Sequence, residues 1–199
     1  PPNPDTSTPV LVSIIIPNWN GAHHLPECLD SLRRQTYTSV ETIVMDNGST
    51  DGSLEMLREE YPEILIIENG KNVGLSKASN QGIEATNGKY VLLLNNDTLV
   101  NKNALDSFVK YMDEHDETGA VGGQLLNGDE SFQAGYAKFS TLWEEFLMAT
   151  GIGFPLYPGF PSHYKSDHSL AVGWLSSANL LVRRAALDQI GLLDEEYFI

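Results

Sequence analysis

The chain has 199 residues, 41% of them hydrophobic and 20% charged, and its 12 basic and 27 acidic side chains give a formal net charge of −15. That length supports one substantial domain with its own core, and the acidity excludes nucleic acid and anionic lipid as partners held by charge. Cys28 is the single cysteine, which excludes an intrachain disulfide and a cysteine-based zinc site. A reducing compartment fits this cysteine usage. No apolar stretch approaches the length of a bilayer span and no signal peptide is visible, so the expected location is cytoplasmic, with peripheral association at the inner face of a membrane left open.

Residues 1–9, Pro-Pro-Asn-Pro-Asp-Thr-Ser-Thr-Pro, read as a flexible leader, and residues 10–199 as one domain. Val10 to Ile16 is a continuous apolar run closed by Pro17, the pattern of a strand buried on both faces. Leu25, Cys28, Leu29 and Leu32 then recur at helical spacing, opposite Glu27, Asp30, Arg33 and Arg34. Thr42–Met45 predicts a second buried strand, and a helix starting near Ser49 to Asp51 runs past Leu54 and Leu57 to Tyr61, before Pro62. Ile64 to Ile67 predicts a third strand, Ser76 to Ala85 a helix, Tyr90 to Leu94 a fourth strand and Ala104 to Met112 an amphipathic helix. Ala120 to Leu126 predicts a fifth strand. Residues 127–169 lose the pattern and read as a long loop or lid, with one short helix near Leu142 to Met148. Trp143, Phe146, Phe154, Tyr157, Phe160 and Tyr164 are expected mostly to form its core. Order returns at Gly173 to Val182, followed by a helix to Ile190 capped by Gly191. The alternation implies an α/β fold: a doubly wound, mainly parallel sheet with helices on both faces.

In such a sheet the C-terminal ends of the strands meet at one edge, where ligands bind. Three of those ends are polar: Pro17-Asn18-Trp19-Asn20, Asp46-Asn47-Gly48-Ser49-Thr50-Asp51-Gly52 and Asn95-Asn96-Asp97. Asp97 could hold a divalent cation through oxygen, and such a cation could clamp a diphosphate that the acidic chain would otherwise repel. Asp46 could accept from a base N–H, and Asp51 or the N–H groups of the helix after it could reach ribose or phosphate. Each stretch also reads as a plain turn, since Asp, Asn, Gly and Ser are turn formers. In Asn72-Val73-Gly74, Gly74 allows close backbone approach and Lys77 could meet a phosphate, although a capped loop explains both. His23, His24, His163 and His168 read as solvated loop histidines, because none has the spacing of a metal site.

Taken together, Val12-Ser13-Ile14-Ile15-Ile16-Pro17-Asn18-Trp19-Asn20, Asp46 through Gly52, Asn72-Val73-Gly74 and Leu93-Leu94-Asn95-Asn96-Asp97-Thr98 resemble family 2 glycosyltransferases in order and spacing. The Asn-Asn-Asp-Thr form is most similar to the bacterial rhamnosyltransferase-like branch. The resemblance implies a GT-A (Rossmann-like) fold and inverting transfer of a sugar from a nucleoside-diphosphate donor, UDP- or dTDP-linked, to a glycan or lipid-linked acceptor in cell-surface polysaccharide synthesis. It implies that Pro17, Trp19, Asn20, Asp46, Asp51, Asn72, Gly74, Asn95, Asn96 and Asp97 form the nucleotide site, and that Asp97 holds Mg²⁺ or Mn²⁺. Gly173-Trp174-Leu175-Ser176-Ser177-Ala178-Asn179 resembles the family's acceptor-side segment, which places Trp174, Ser176 and Ser177 near donor sugar and acceptor. Asn95 departs from the family's Asp-x-Asp form, and one carboxylate fewer weakens metal binding without the diphosphate. The general base would follow a segment like Leu193-Asp194-Glu195-Glu196-Tyr197-Phe198-Ile199; Asp194 stands too early to be it, so the chain is expected to lack its C-terminal part and to turn over poorly. Two alternatives from other classes are a sugar nucleotidyltransferase, which should carry a basic Gly-rich loop after its first strand, and a non-catalytic nucleotide- or carbohydrate-binding module.

Overall fold

In the computed structural model, which describes residues 11–151 and 168–196, the apolar runs become the strands of a six-stranded sheet. The order along the chain is β1 (Val12–Asn18), α1 (Leu25–Arg33), β2 (Val40–Asp46), α2 (Ser53–Glu60), β3 (Leu65–Glu68), α3 (Leu75–Glu84), β4 (Tyr90–Leu94), α4 (Ala104–Glu114) and β5 (Ala120–Gly122). It continues with β6 (Leu125–Leu126), β7 (Phe132–Gln133), β8 (Tyr136–Ala137), α5 (Leu142–Ala149), β9 (Trp174–Leu175), β10 (Asn179–Arg183) and α6 (Arg184–Ile190). Among the described residues two compact units result: residues 11–121 with 178–196, and residues 122–151 with 168–177.

The first unit holds the sheet, in the order β3-β2-β1-β4-β10-β5. β1 runs parallel to β2 and β4, and β2 parallel to β3, while β10 is antiparallel to β4. The sheet is therefore mixed and mainly parallel. Successive residues of each apolar run serve opposite faces. Val12, Ile14 and Ile16 pack with Leu25 and Leu29 of α1, Leu57 of α2 and Leu105, Val109 and Met112 of α4. Ile15 packs with Ile43, Met45, Val91 and Leu93, beneath Ala78 and Ile83 of α3 and Leu187 of α6. Burial on both faces is why these strands read as continuous rather than alternating runs. Two adjacent cations then close the ends of helices on opposite faces. Arg183 donates to the carbonyls of Met112, in the last turn of α4, and His115 just after it, and Arg184 to those of Ile83, in the last turn of α3, and Gly88 beyond it.

Several expected boundaries move. β1 runs through Pro17 to Asn18. The Asn18 carbonyl accepts from Asn47 N–H on the β2 side, so the missing N–H of Pro17 faces the β4 side, where pairing has already ended at Ile15 and Leu93. Helix α2 starts at Ser53, not at Ser49 to Asp51, and its N-cap is Gly52 at φ +88° with no side-chain cap. The expected fifth strand breaks at Gly123-Gln124 into β5, in the main sheet, and β6, which pairs with β7. Likewise Gly173 to Val182 divides into β9, paired with β8, and β10.

The second unit is made of two two-stranded ribbons, β6–β7 and β8–β9, together with α5, so residues 127–151 carry more structure than the expected loop. Thr141 and Glu144 form a reciprocal capping box at the start of α5. Trp143 and Phe146 are exposed by 63% and 55% and stack on each other, not in a core; the helix turns Glu144 and Leu147 inward instead. Phe154, Tyr157, Phe160, Tyr164 and His163 lie outside the described residues.

Candidate active site

The site begins where β1 and β4 part. Their pairing stops at Ile15 and Leu93, while β1 stays in register with β2 as far as Asn18 and Asp46. Because the connections go one way from β1 to β2 and the other way to β4, this is the switch point of the sheet.

On the β2 side, Asp46 is 1% exposed and its carboxylate is an acceptor for three donors. Oδ1 accepts from Asn18 Nδ2 at 3.2 Å, and Oδ2 from the backbone N–H groups of Gly48 and Ser49, both at 3.0 Å. Gly48 sits at φ +75°, and a Cβ there would lie 2.8 Å from the backbone of Lys71. The loop thus curls around its own carboxylate, the turn role that Asp favours. The β1–α1 loop is clasped against it: Asn20 N–H donates to Ser49 Oγ at 2.9 Å, Thr50 N–H to Asn20 Oδ1 at 2.8 Å, and Ala22 N–H to Asp51 Oδ2 at 2.8 Å. Asp51 also accepts from Ser53 N–H and the Ser53 hydroxyl. Burial works to raise its pKa, but the hydrogen bonds from Ser53 and Ala22 outweigh it and hold the carboxyl below its usual range.

The β3–α3 loop joins through a third amide. Asn47 accepts from Asn69 Nδ2 at 2.9 Å and donates to the Gly74 carbonyl at 3.4 Å. Asn72 accepts from Gly74 N–H at 2.9 Å, and Gly74 caps α3 at φ +87°. Lys77, read as a phosphate contact, lies 3.7 Å from the Glu195 carboxylate.

On the β4 side, residues 95–98 form a turn closed by Thr98 N–H on the Asn95 carbonyl at 3.2 Å. Asn95 N–H donates to the Ala178 carbonyl at 3.1 Å, and the buried Cys28 thiol lies 3.6 Å from the Asn95 carbonyl. Burial first, and then the negative charge of Asp97, push that thiol up to about 12, so it stays protonated and unreactive near neutral pH. Asn96 Nδ2 donates to Asn18 Oδ1 at 2.8 Å. Asp97, at the turn, is exposed, and its carboxylate takes no hydrogen bond from the described residues.

Pro17, Trp19, Asn20, Asp46, Asp51, Asn72, Gly74, Asn95, Asn96 and Asp97 therefore all sit at one edge of the first unit. Trp19 stands 57% exposed there. Trp174, Ser176 and Ser177 belong to the second unit: Trp174 pairs with Ala137, and Ser176 N–H donates to the Gly135 carbonyl at 2.8 Å. Both serines are half-buried and follow β9 in a turn rather than lying in a buried strand. His23, His24 and His168 are exposed.

Sequence reasoning missed Asn18 and Gly21 as individual residues. Asn18 is 1% exposed and continues the phase of Val12, Ile14 and Ile16, so a polar residue on an apolar face was its signal. Gly21 left no signal; a Cβ there would come within 2.2 Å of Asn18 Oδ1 and 2.3 Å of Asn96 Nδ2.

Among the described residues no group of three or more His, Cys, Asp and Glu side chains forms a closed metal cage. One free carboxylate beside an amide is a hard-oxygen donor set of the open kind that Mg²⁺ or Mn²⁺ completes with water and substrate phosphates. The residues fit a cation of that type, which Asp97 would hold.

These features define a doubly wound α/β protein whose switch point carries an oxygen-rich crevice. The sequence profile of glycosyl transferase family 2 matches residues 13–191, and the chain belongs to that family. N-acetylglucosaminyl-diphospho-decaprenol L-rhamnosyltransferase of Mycobacterium tuberculosis is 27% identical over 206 residues, covering 95% of this chain and 66% of that protein. Glycosyltransferase GlyG of Streptococcus pneumoniae is 32% identical over 126 residues, 61% of this chain and 41% of its own length. Among solved structures, mannosyltransferase PcManGT from Pyrobaculum calidifontis, in complex with GDP-Man and Mn²⁺, superposes with a TM-score of 0.66 at 20% identity, over 98% of this chain and 50% of that one. S. aureus TarS 1-349 in complex with UDP gives 0.64 at 21% identity, over 93% and 50%. The fold is GT-A. The chain spans about half the length of these solved proteins and less than two thirds of these two curated relatives.

Proposed function

We propose that this chain carries the donor-binding domain of an inverting glycosyltransferase, which moves a sugar from a nucleoside diphosphate to an acceptor hydroxyl in the synthesis of a surface glycan. The observation that carries the reading is the contrast between two strand ends: a hydrogen-bonded loop closes around the buried Asp46, while the Asp97 carboxylate stands exposed on a turn and takes no hydrogen bond from the described residues. The Asp46–Asp51 loop and the Asn72–Gly74 loop would take the nucleoside, with Trp19 available to stack on a ring. Asp97 would hold Mg²⁺ or Mn²⁺ with the diphosphate, and Asn95 would face the ribose or the cation's outer shell. A divalent cation bound there would neutralise charge on the departing diphosphate.

Transfer breaks the bond between the sugar C1 and the diphosphate oxygen, forms one from the acceptor oxygen to C1 on the opposite face, and gives the acceptor proton to a base. No residue of this chain is assigned as that base. Trp174, Ser176 and Ser177 keep the donor-sugar and acceptor roles that the family resemblance implies. A UDP- or dTDP-linked donor and a lipid-linked or glycan acceptor are the favoured partners, since one solved relative holds UDP and one curated relative is named for a decaprenol-linked substrate. No helix among the described residues is long and apolar enough to cross a membrane.

Thermal denaturation with UDP-GlcNAc, dTDP-rhamnose and GDP-mannose, each with Mn²⁺ and then with EDTA, tests the reading. One donor at a hundred times its Kd should stabilise the chain by about 2.7 kcal/mol, and EDTA should remove most of that. A folded chain that none of the three shifts contradicts the proposal.

A further inference from the structure

We infer that Asn18 is a positioning residue that couples the nucleoside side of the crevice to the cation side. This inference rests on the donor-site reading above and adds a residue and a linkage to it. Asn18 closes β1 at the point where β1 and β4 have parted, and its side chain spans the gap that backbone pairing no longer fills.

The direction of the bridge is fixed by chemistry. An ionised carboxylate only accepts, so Asp46 requires the Asn18 amide to point its Nδ2 toward it. That leaves Asn18 Oδ1 facing Asn96, which must then present its own Nδ2. The same Asn18 Nδ2 is 3.2 Å from Ser49 Oγ, which also receives Asn20 N–H. The result is one donor-to-acceptor chain, from Asn96 through Asn18 to Asp46. Gly21 lies against its central link, where any larger side chain would enter the space of both amides. Asp97 follows Asn96 directly in the turn. Shifting the Asp46–Ser49 loop therefore shifts Asn18, then Asn96, and so the carboxylate of Asp97. Because coupling is reciprocal, a nucleotide settling on the first loop and a cation settling at the turn each favour the other.

The test uses calorimetric titration of the 199-residue chain with uridine, thymidine and guanosine, each with Mn²⁺ and in EDTA, and with UDP, dTDP and GDP. A free nucleoside has no phosphate to touch the cation, so the ratio of its two affinities reports linkage through the protein alone; for linked sites that factor is about 5–150-fold. Two variants cut the chain of hydrogen bonds. Gly21→Ala leaves every hydrogen-bonding group present but forces the two amides apart. Asn18→Ala removes the bridge itself. In each folded variant the factor should fall toward one while nucleoside affinity in EDTA changes less than threefold, roughly the limit for an uncoupled site. A purely structural role would lower the affinities with Mn²⁺ and in EDTA together. The inference is overturned if Gly21→Ala or Asn18→Ala folds and keeps the wild-type factor. It is also overturned if the wild type binds a diphosphate but binds the nucleoside no better with Mn²⁺ than in EDTA, which leaves the donor site standing. A wild-type chain that binds none of the three diphosphates overturns the donor-site reading and the coupling together.

Discussion

The two aspartates of the crevice occupy opposite environments. Asp46 is buried and serves three donors, while Asp97 is exposed on a turn and has no donor to its carboxylate among the described residues. A carboxylate already satisfied by backbone N–H groups contributes to the shape of a loop. One left exposed at a strand end is available to a ligand. The same residue type thus shapes the loop at one strand end, while at the other our proposal gives it the cation, and the difference lies in which strand end curls back and which stays open.

Removing each carboxylate is the most direct way to break this comparison. Asp46→Ala leaves the Gly48 and Ser49 N–H groups and the Asn18 amide without their acceptor, and we expect a loss of about 3 kcal/mol in urea unfolding. Asp97→Ala should stay within about 0.5 kcal/mol of wild type in the same experiment, as exposed substitutions do. Equal losses would erase the distinction.

The glycines of the Asp46 loop sharpen it. Gly48→Ala combines φ +75° with a Cβ 2.8 Å from the Lys71 backbone, and should cost about 2–3 kcal/mol. Gly52→Ala at φ +88° meets nothing within 4 Å, and only the conformational term of about 1–2 kcal/mol remains. Both are read from urea midpoints, and the reverse order would mean that the loop does not pack as described.

The smallest expected effect lies in the second unit. Glu144 accepts from Lys138 and from Thr141 in the cap of α5, and these contacts hold its carboxyl down at about 2, against an ordinary 4.5. A depressed folded value means that the contribution is fully present above about pH 4.5 and is lost as pH falls toward 2. Fluorescence of Trp143, one residue before Glu144, should report loosening of the first turn of α5 over that window, and Glu144→Gln should flatten the change. A transition of unchanged size in Glu144→Gln would contradict the cap assignment.

How much of this was legible in the sequence follows from where the ordering forces are local. β1, β2 and β4 were visible because strands buried on both faces are continuous apolar runs, and Tyr90–Leu94 was read to the residue. The helices were visible from apolar spacing. The start of α2 was not, since Asp51 and Ser49 look like caps, and only contact with Ala22 and Asn18, about thirty residues upstream, shows what they do instead. Two-residue strands such as β7 and β8 have no period to detect. Trp143 and Phe146 misled because aromatic residues are read as core, whereas α5 turns them outward. At the crevice the polar strand ends were legible as a set, but the division of labour between Asp46 and Asp97 depends on tertiary register. Asn18 acquires its role only because β1 lies between β2 and β4.

The claim that Asp97 is the ligand-facing carboxylate is tested most directly by one calorimetric comparison. Wild type and Asp97→Ala are titrated with UDP, dTDP and GDP, with Mn²⁺ and then in EDTA. We expect one diphosphate to bind the wild type at least tenfold tighter with Mn²⁺, a difference of about 1.4 kcal/mol, and that advantage to vanish in Asp97→Ala while the variant keeps its wild-type unfolding midpoint. Metal-enhanced binding that survives in Asp97→Ala would contradict the account.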